Sequence, residues 1–511
     1  MLYICGQILI NIVELAKYYV MEKVLLDGIN FELNTETMTA TVVPLEFSRH
    51  DFSILLYGKK YEGDIIIPKQ ISYDGELYLV TGIGRYAFSR CSSMTSIVIP
   101  QSVTSIGEFA FTGCSSLTSI TIPHCVTSIC YTFSECSSLT SITIPPSLKC
   151  IGGETFRGCS SLKSISIPNS VTSIGERAFS DCASLTAIII PDSVTSIGEY
   201  AFEGCSSLTS IIIPDSVASV ECGMFSSCTA LTSITIPNSV TKIGRESFRG
   251  CSSLTSIIIP DGVTSIKESV FERCSSLTCF TIPNGVKDIG DYAFCGCSSL
   301  ASITIPESVT SIGNSAFAGC SSLASITIPE SVTNIGVYTF AGCSSLTSIN
   351  VQKGNTKYDS RYDCNAIIDS ETNGIIAGCQ NTIIPSCVSR IAGAFSGCSL
   401  LTSIAIPDSV TRICGASFSG CSSLISIIIP NSVECIEFRA FANCSSLKSI
   451  TIPNNVTRIE DGAFEGCCSL SIDYSGSKEQ WFEIEKDDNW FSYGAIKVVR
   501  CLNGEIEYYK D

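Results

Sequence analysis

Apolar and polar residues follow one another along most of this chain in a repeated order. In the copy Cys205-Ser-Ser-Leu-Thr-Ser-Ile-Ile-Ile-Pro-Asp-Ser-Val-Ala-Ser-Val-Glu-Cys-Gly-Met-Phe225, a Cys leads to Leu208, to the run Ile211 to Ile213 ending on Pro214, to Val217 and to Phe225, and the cycle restarts at Cys228. From Cys91 to Cys343 the period is 23 residues, with a single 22-residue copy between Cys114 and Cys136. The β-branched tripeptide before each Pro, as in Ile120-Thr-Ile122-Pro123, ends at a residue without an N–H, which predicts a strand of three to four residues. Val126-Thr-Ser-Ile129 predicts a second extended piece, and Glu199-Tyr-Ala-Phe202 after Gly198 predicts one helical or 3₁₀ turn with its Phe inward. No copy can bury its apolar side alone, so copies must stack.

The expected architecture is an α/β repeat solenoid. It is a curved array with one long parallel β-sheet, short extended pieces and 3₁₀ or helical turns on the other side, and a cap at each end. A column of Phe and a column of Cys, the latter holding more than half of the 30 cysteines, are expected inside it. Stacked equivalents lie about 5 Å apart, within reach of a disulfide, but their Cβ vectors run parallel. The Cys column therefore reads as buried thiols acting as small hydrophobes, with bridged pairs as the alternative.

The rhythm breaks in places, and these breaks divide the chain. Residues 1–21 are an apolar stretch interrupted by Gln7 and Asn11, with no cationic start and no small-residue cleavage site; they read as an N-terminal extension or a misassigned start. In residues 22–63, Ile29 to Leu33 and Thr39 to Val43 alternate around a polar turn, which predicts a hairpin cap. Repeats fill 64–349 and 385–470, where Thr382-Ile-Ile-Pro385 is expected to resume the strands. Between them, 350–384 is a non-repeat island in which Asn365 to Cys379 alternates around a Gly-bearing turn, again a hairpin. Residues 471–511 hold an amphipathic segment at Lys478 to Ile484, an Asn503-Gly504 hairpin signal and both tryptophans, Trp481 and Trp490, and read as a C-terminal cap.

A formal charge of −17 argues against nucleic acid and anionic membrane as partners. No apolar run reaches the roughly 20 residues of a membrane-spanning helix. Catalysis, cofactor and metal have little to stand on. His50 and His124 are the two histidines, no nucleophile elbow or phosphate loop appears, and no Cys-x-x-Cys pair has a matching second pair. Acidic residues after the repeat Pro, such as Asp192, Asp215 and Glu307, read as a solvated rim.

The repeat Cys-Ser-Ser-Leu-Thr-Ser-Ile-x-Ile-Pro-x-Ser-Val-Thr-Ser-Ile-Gly-x-x-Ala-Phe-x-Gly resembles the BspA-type leucine-rich repeat of bacterial and protist surface proteins, over roughly residues 60 to 470. The island from Tyr358 to Cys379 and the Trp481 tail resemble segments found in members from Bacteroides-like gut anaerobes. The resemblance implies a non-catalytic, adhesin-like protein that binds host matrix proteins or other microbial surface proteins, placed at the cell surface or secreted. A chain start taken as written implies instead an intracellular scaffold without host contact. Two sets of residues are candidates for partner binding. Tyr358, Arg361 and Tyr362 break an otherwise bland surface, and the outward aliphatics Ile189, Ile212 and Ile258 form a possible sticky stripe on the face before Pro.

Overall fold

The computed structural model describes residues 22–45, 60–491 and 496–508. The readings of residues 1–21 and of His50 lie outside them. The chain divides into two compact units, Met1–Val217 and Ala218–Asp511.

The first unit opens with three antiparallel strands, Glu22–Leu26, Ile29–Asn34 and Thr39–Val43, where the sequence suggests two. Asn34 sets the second turn, its side chain accepting from the N–H groups of Glu36 and Thr37 at 3.1 and 3.0 Å. Thr39–Val43 then runs parallel to Glu76–Ile83, whose other edge pairs with Gln70–Tyr73 through its first half and with Ser105–Ile106 at its last two residues. The antiparallel strands thus merge directly into the coils. Asp74 and Gly75, at φ +49° and +81°, make the turn between Gln70–Tyr73 and Glu76–Ile83.

One coil shows how the others are built. In residues 159–182, Leu162, Ile165, Ile167, Val171, Ile174, Ala178, Phe179 and Cys182 are all buried, because the outline closes on itself and brings the apolar residues inside. On the second face, after Pro, Thr172 and Gly175 donate to Lys149 and Ile151 carbonyls at 2.9 and 2.8 Å. At the Phe turn, Phe156 donates to Ala178 at 2.8 Å. On the first face, before Pro, the corresponding bonds lengthen: Thr186 to Lys163 is 3.1 Å, and Ile122 to Thr143 is 3.4 Å. In these coils of the first unit the first face is therefore the more loosely bonded one.

Three expectations are corrected by this geometry. The first-face segments do not form one long sheet. They pair in short patches, such as Ser119–Thr121 with Ser141–Thr143, and Cys279–Thr281 with Ser302–Thr304. The continuous ladders lie on the second face, where Ser128–Ile129, Cys150–Ile151, Ser173–Ile174 and Ser196–Ile197 stand side by side. Residues 382–385 form no strand. The helical or 3₁₀ turn is instead a chain of tight turns. Ala178, Ser180 and Cys182 donate to the carbonyls three residues back, while Arg177 takes a left-handed φ of +50°, which no right-handed helix allows. The same left-handed position recurs at Tyr86, Phe109, Tyr131, Tyr200, Glu246 and Tyr292, and a second follows four residues later, as Gly204 at +68° after Tyr200. Among the described residues only Lys478–Glu483 is α-helical and only Arg361–Asp363 is 3₁₀, so the fold is a β-solenoid rather than α/β.

Inside, the Phe rings stack face to face. In the first unit Phe88 to Phe111 and Phe179 to Phe202 have centroids 5.3 and 5.5 Å apart, nearly parallel, and Tyr61 heads the column 4.8 Å from Phe88. In the second unit the stack runs from Phe225 to Phe340, resumes at Phe395, and ends where Trp490 meets Phe464 edge-on at 6.0 Å. Each buried Phe is worth about 1.5–3 kcal/mol by area.

The thiols do more than fill space. Cys182 donates to the Phe156 carbonyl at 3.1 Å, and Cys114, Cys159, Cys205, Cys251, Cys274 and Cys297 each donate in the same way to the Phe 26 residues earlier, while Cys136, across the 22-residue copy, donates to Phe111, 25 residues earlier, all at 3.1–3.2 Å. Hydroxyls add parallel ladders: Ser193 donates to Val171, Thr195 to Thr172 and Ser298 to Ser275. The Ser, Thr and Cys content is therefore largely an inter-coil fastening, and many of these hydroxyls are already engaged.

In the second unit the island does not interrupt the Phe turns. Gly342 donates to Ser396 at 2.9 Å, so the coils on either side of it meet directly, and a Cβ on Gly397, at φ +70°, would lie 2.6 Å from the Gly342 backbone. After the last repeat, Ile496–Cys501 runs parallel to Leu470–Tyr474 and turns back as Gly504–Glu507. Trp481, on a helix opened by the Ser477/Gln480 capping box, is fully buried and donates to the Tyr508 hydroxyl at 3.2 Å.

Candidate interaction surfaces

The island contributes an antiparallel hairpin, Ala366–Asp369 with Gly374–Gly378, whose second strand runs parallel to Arg390–Ile391. Ile367, Ile368 and Ile375 are buried, so the hairpin is part of the second-face sheet, and its removal would open the core. Tyr358–Asp359 adds one more strand. Tyr358 is only 4% exposed, its hydroxyl accepting from the Ile335 N–H at 3.0 Å; burial pushes its pKa up, and it leaves the candidate contact set.

Arg361 and Tyr362 do stand on the surface. The Arg361 guanidinium grips Asp359 with Nε 2.7 Å from Oδ1 and Nη2 on Oδ2, and its Nη1 reaches Asn373 Oδ1 at 3.0 Å. Burial alone would raise the Asp359 carboxyl, but hydrogen bonds from Arg361 and Ser370 hold it below its ordinary range. Ser360 ties the same turn to its surroundings, accepting from Val351 N–H at 3.0 Å and donating to the Ala366 carbonyl at 2.7 Å. On this braced turn Tyr362 adopts φ +61° and is 83% exposed. A bulky residue in a left-handed conformation survives only where its neighbours over-determine it.

Ile189 and Ile212 in the first unit are 81% and 69% exposed, and Ile258 in the second is 85% exposed. Ile258 borders a shallow groove of about 300 Å³ with Ile257, Asp261, Thr281 and Pro283. The first unit also carries a ledge that period-based reading overlooks. Tyr86, Phe109 and Tyr131 stack at 5.0 and 4.8 Å, half-buried, with Arg85 lying over the first two rings and paired to Glu108 at 3.4 Å. Its signal is an aromatic two residues before three consecutive repeat Phe. Every described sulfur in the Cys column with a resolved shift is pushed upward, at Cys114 first by the neighbouring Cys136 thiol and elsewhere chiefly by burial, as at Cys251 and Cys297, both to about 12. Such thiols are poor nucleophiles and poor metal ligands. Among the described residues no group of three or more His, Cys, Asp or Glu is arranged to hold a metal, and no helix is long and apolar enough to cross a membrane.

Comparison with known proteins adds the following. The family model of the BspA type leucine rich repeat region, a block of 6 copies, matches residues 81–205, 130–255, 172–300, 264–369 and 376–483. Among solved structures, the chain is similar to a leucine-rich repeat protein from Bacteroides ovatus, at 30% identity and TM-score 0.45, over 92% of this chain and 99% of that one. It is similar to a leucine rich cell surface protein from Faecalibacterium prausnitzii, at 27% identity and TM-score 0.44, over 92% and 98%. It is also similar to the leucine rich repeat protein of T. pallidum, at 27% identity and TM-score 0.31, over 46% and 91%. No curated protein matches.

Proposed function

We propose, from the premise that this chain belongs to the BspA type leucine rich repeat family, that it is an adhesin-like surface protein whose partner is a host or microbial protein. Repeat arrays of this family are protein-interaction modules rather than enzymes. The relative from Faecalibacterium prausnitzii is described as a cell surface protein, which supports the same placement here. The terminal segments 22–63 and 471–511 act as caps through their described residues, Tyr61 covering Phe88 and Trp490 covering Phe464.

The observation that carries the recognition role is Tyr362, an exposed aromatic on a turn fixed by Asp359, Arg361, Asn373 and Ser360. Interfaces take their largest contributions from Tyr, Trp and Arg held rigidly, since little entropy is lost on contact. Tyr362→Ala removes the ring and leaves the bracing bonds. Retention on a surface coated with solubilised host extracellular matrix should fall at least tenfold while the thermal midpoint stays unchanged. Unchanged retention would remove the island turn from the interface.

A second reading, an intracellular scaffold, is favoured by the free thiols, which persist most readily in a reducing compartment. Protease shaving of intact cells separates the two: release of repeat peptides supports the surface, and full protection supports the interior.

A further inference from the structure

The second-face sheet beside the island carries a register of charges. Arg390 and Arg412 stand side by side, followed in line by Cys435, Arg458 and Glu485. The residue just after each strand serves the coil before it. Glu437 accepts from Arg412 Nη2 and Nε at 2.8 and 3.2 Å and from the Gly415 N–H at 3.1 Å. Asp487 pairs with Arg458 at 3.5 Å and accepts from the Asp461 N–H at 3.0 Å. Glu460 accepts from the Phe438 N–H at 2.8 Å and lies 3.9 Å from Cys435 Sγ. For Arg390 the residue in this position is Cys414, which brings no carboxylate.

Arg390 is left with an unmet need. Its stem lies across Gly374, where a Cβ would stand 2.8 Å from Nε, and that Nε is buried without a hydrogen-bond partner. Among the described residues its guanidinium forms no ion pair. The nearby acids are committed elsewhere: Asp359 to Arg361, Glu371 and Asp369 to Lys357 at 2.6 and 3.5 Å, and Glu437 to Arg412. The enclosed Nε is out of reach of an outside group, but Arg390 as a whole is only half-buried and its terminal Nη groups are not among the buried unpaired atoms, so they can take the carboxylate that meets a guanidinium best.

We infer that Arg390 is the seat of a carboxylate supplied from outside the chain, an acidic side chain of the protein partner. The inference rests on the reading of the island turn as a recognition site. Asn373, held by Arg361, precedes Gly374, and Gly374 pairs with Arg390, so Tyr362 and Arg390 flank one stretch of surface. A partner that buries its contact on Tyr362 and places an Asp or Glu on Arg390 completes the pattern that Glu437 and Asp487 complete internally.

The test uses the full chain and the capped peptides tetra-glutamate and tetra-glutamine at low ionic strength, with binding read by fluorescence anisotropy. Wild type should bind tetra-glutamate at least tenfold more tightly than tetra-glutamine. Arg390→Gln should erase the difference. Cys414→Glu should also erase it, by supplying the internal carboxylate, and should raise the thermal midpoint. Equal binding of the two peptides by wild type, or undiminished tetra-glutamate binding by a folded Cys414→Glu protein, overturns the inference. Tyr362→Ala is expected to keep the peptide preference. If matrix retention survives Tyr362→Ala while Arg390→Gln loses tetra-glutamate, the recognition reading fails and the carboxylate seat stands; the converse pattern rejects the seat alone.

Discussion

Between pH 9 and 10.5 the protein should lose its β-structure in a steep transition, driven by thiols rather than by carboxylates or lysines. The buried column sulfurs hold their protons far above the ordinary thiol value of 9.0, with Cys251, Cys297, Cys398 and Cys467 raised to about 12, chiefly by burial. The unfolded chain gives up those protons near pH 9 and the folded chain keeps them. This contribution is therefore intact below pH 9 and is lost as pH rises toward the folded values. At pH 10 each such thiol costs about 1.4 kcal/mol, and ten of them about 14 kcal/mol, as much as the whole stability of an ordinary domain. Lys486 opposes the trend. Burial lowers its pKa to about 8, so folding favours its neutral form and the protein gains stability as pH rises from 8 towards 10.5, but it is one group against a column. Circular dichroism followed through an alkaline titration checks this. A β-signal unchanged at pH 11 would mean that the thiols are not buried as described.

The second large effect is expected at the Phe column. Phe294 is fully buried between Phe271 and Phe317, each 5.4 Å away, with Phe280 edge-on at 4.9 Å. Phe294→Ala should destabilise the protein by about 3 to 5 kcal/mol, because neighbouring coils tied together by backbone and thiol bonds cannot collapse into the hole. Phe294→Leu keeps most of the volume and should lose less. Because coils touch only their neighbours, the damage is local in origin but is felt wherever unzipping can start. Urea unfolding should show a lower midpoint for Phe294→Ala, and a loss below about 1 kcal/mol would contradict the stacked interior.

The Phe and Cys columns were legible because a fixed period places Phe179, Phe202 and Cys182 at the same point of every coil, and stacking then follows from burial alone. Less could be read where geometry depends on the neighbouring coil. Sequence cannot tell which face carries the longer ladder, so β-branched composition points to Ile120-Thr-Ile122 when the more continuous ladder is Ser128–Ile129 and its equivalents. The turn at Tyr200 has helix-like composition, yet φ +57° there breaks any helix. Tyr358 looks exposed among polar neighbours, but the strand pairing of Asp359 with Ile368 folds it inward to Ile335. Two surface features were readable in principle once coils are laid over one another. One is the spacing of Tyr86, Phe109 and Tyr131, and the other is Cys414 standing where later coils have Glu437 and Glu460.

The claim on which the rest depends is that reduced, proton-bearing sulfurs lie enclosed along the interior, most of them donating to the Phe carbonyl of an earlier coil, as Cys182 does to Phe156. It is tested most directly by counting thiols with a chromogenic reagent, in folded and in denatured protein, without reductant. The account predicts that all 30 cysteines react in denaturant, while in the folded protein rapid reaction is confined to exposed positions such as Cys125, Cys279, Cys387 and Cys468. A large shortfall in denaturant, or prompt reaction of the column thiols in the folded state, would contradict it.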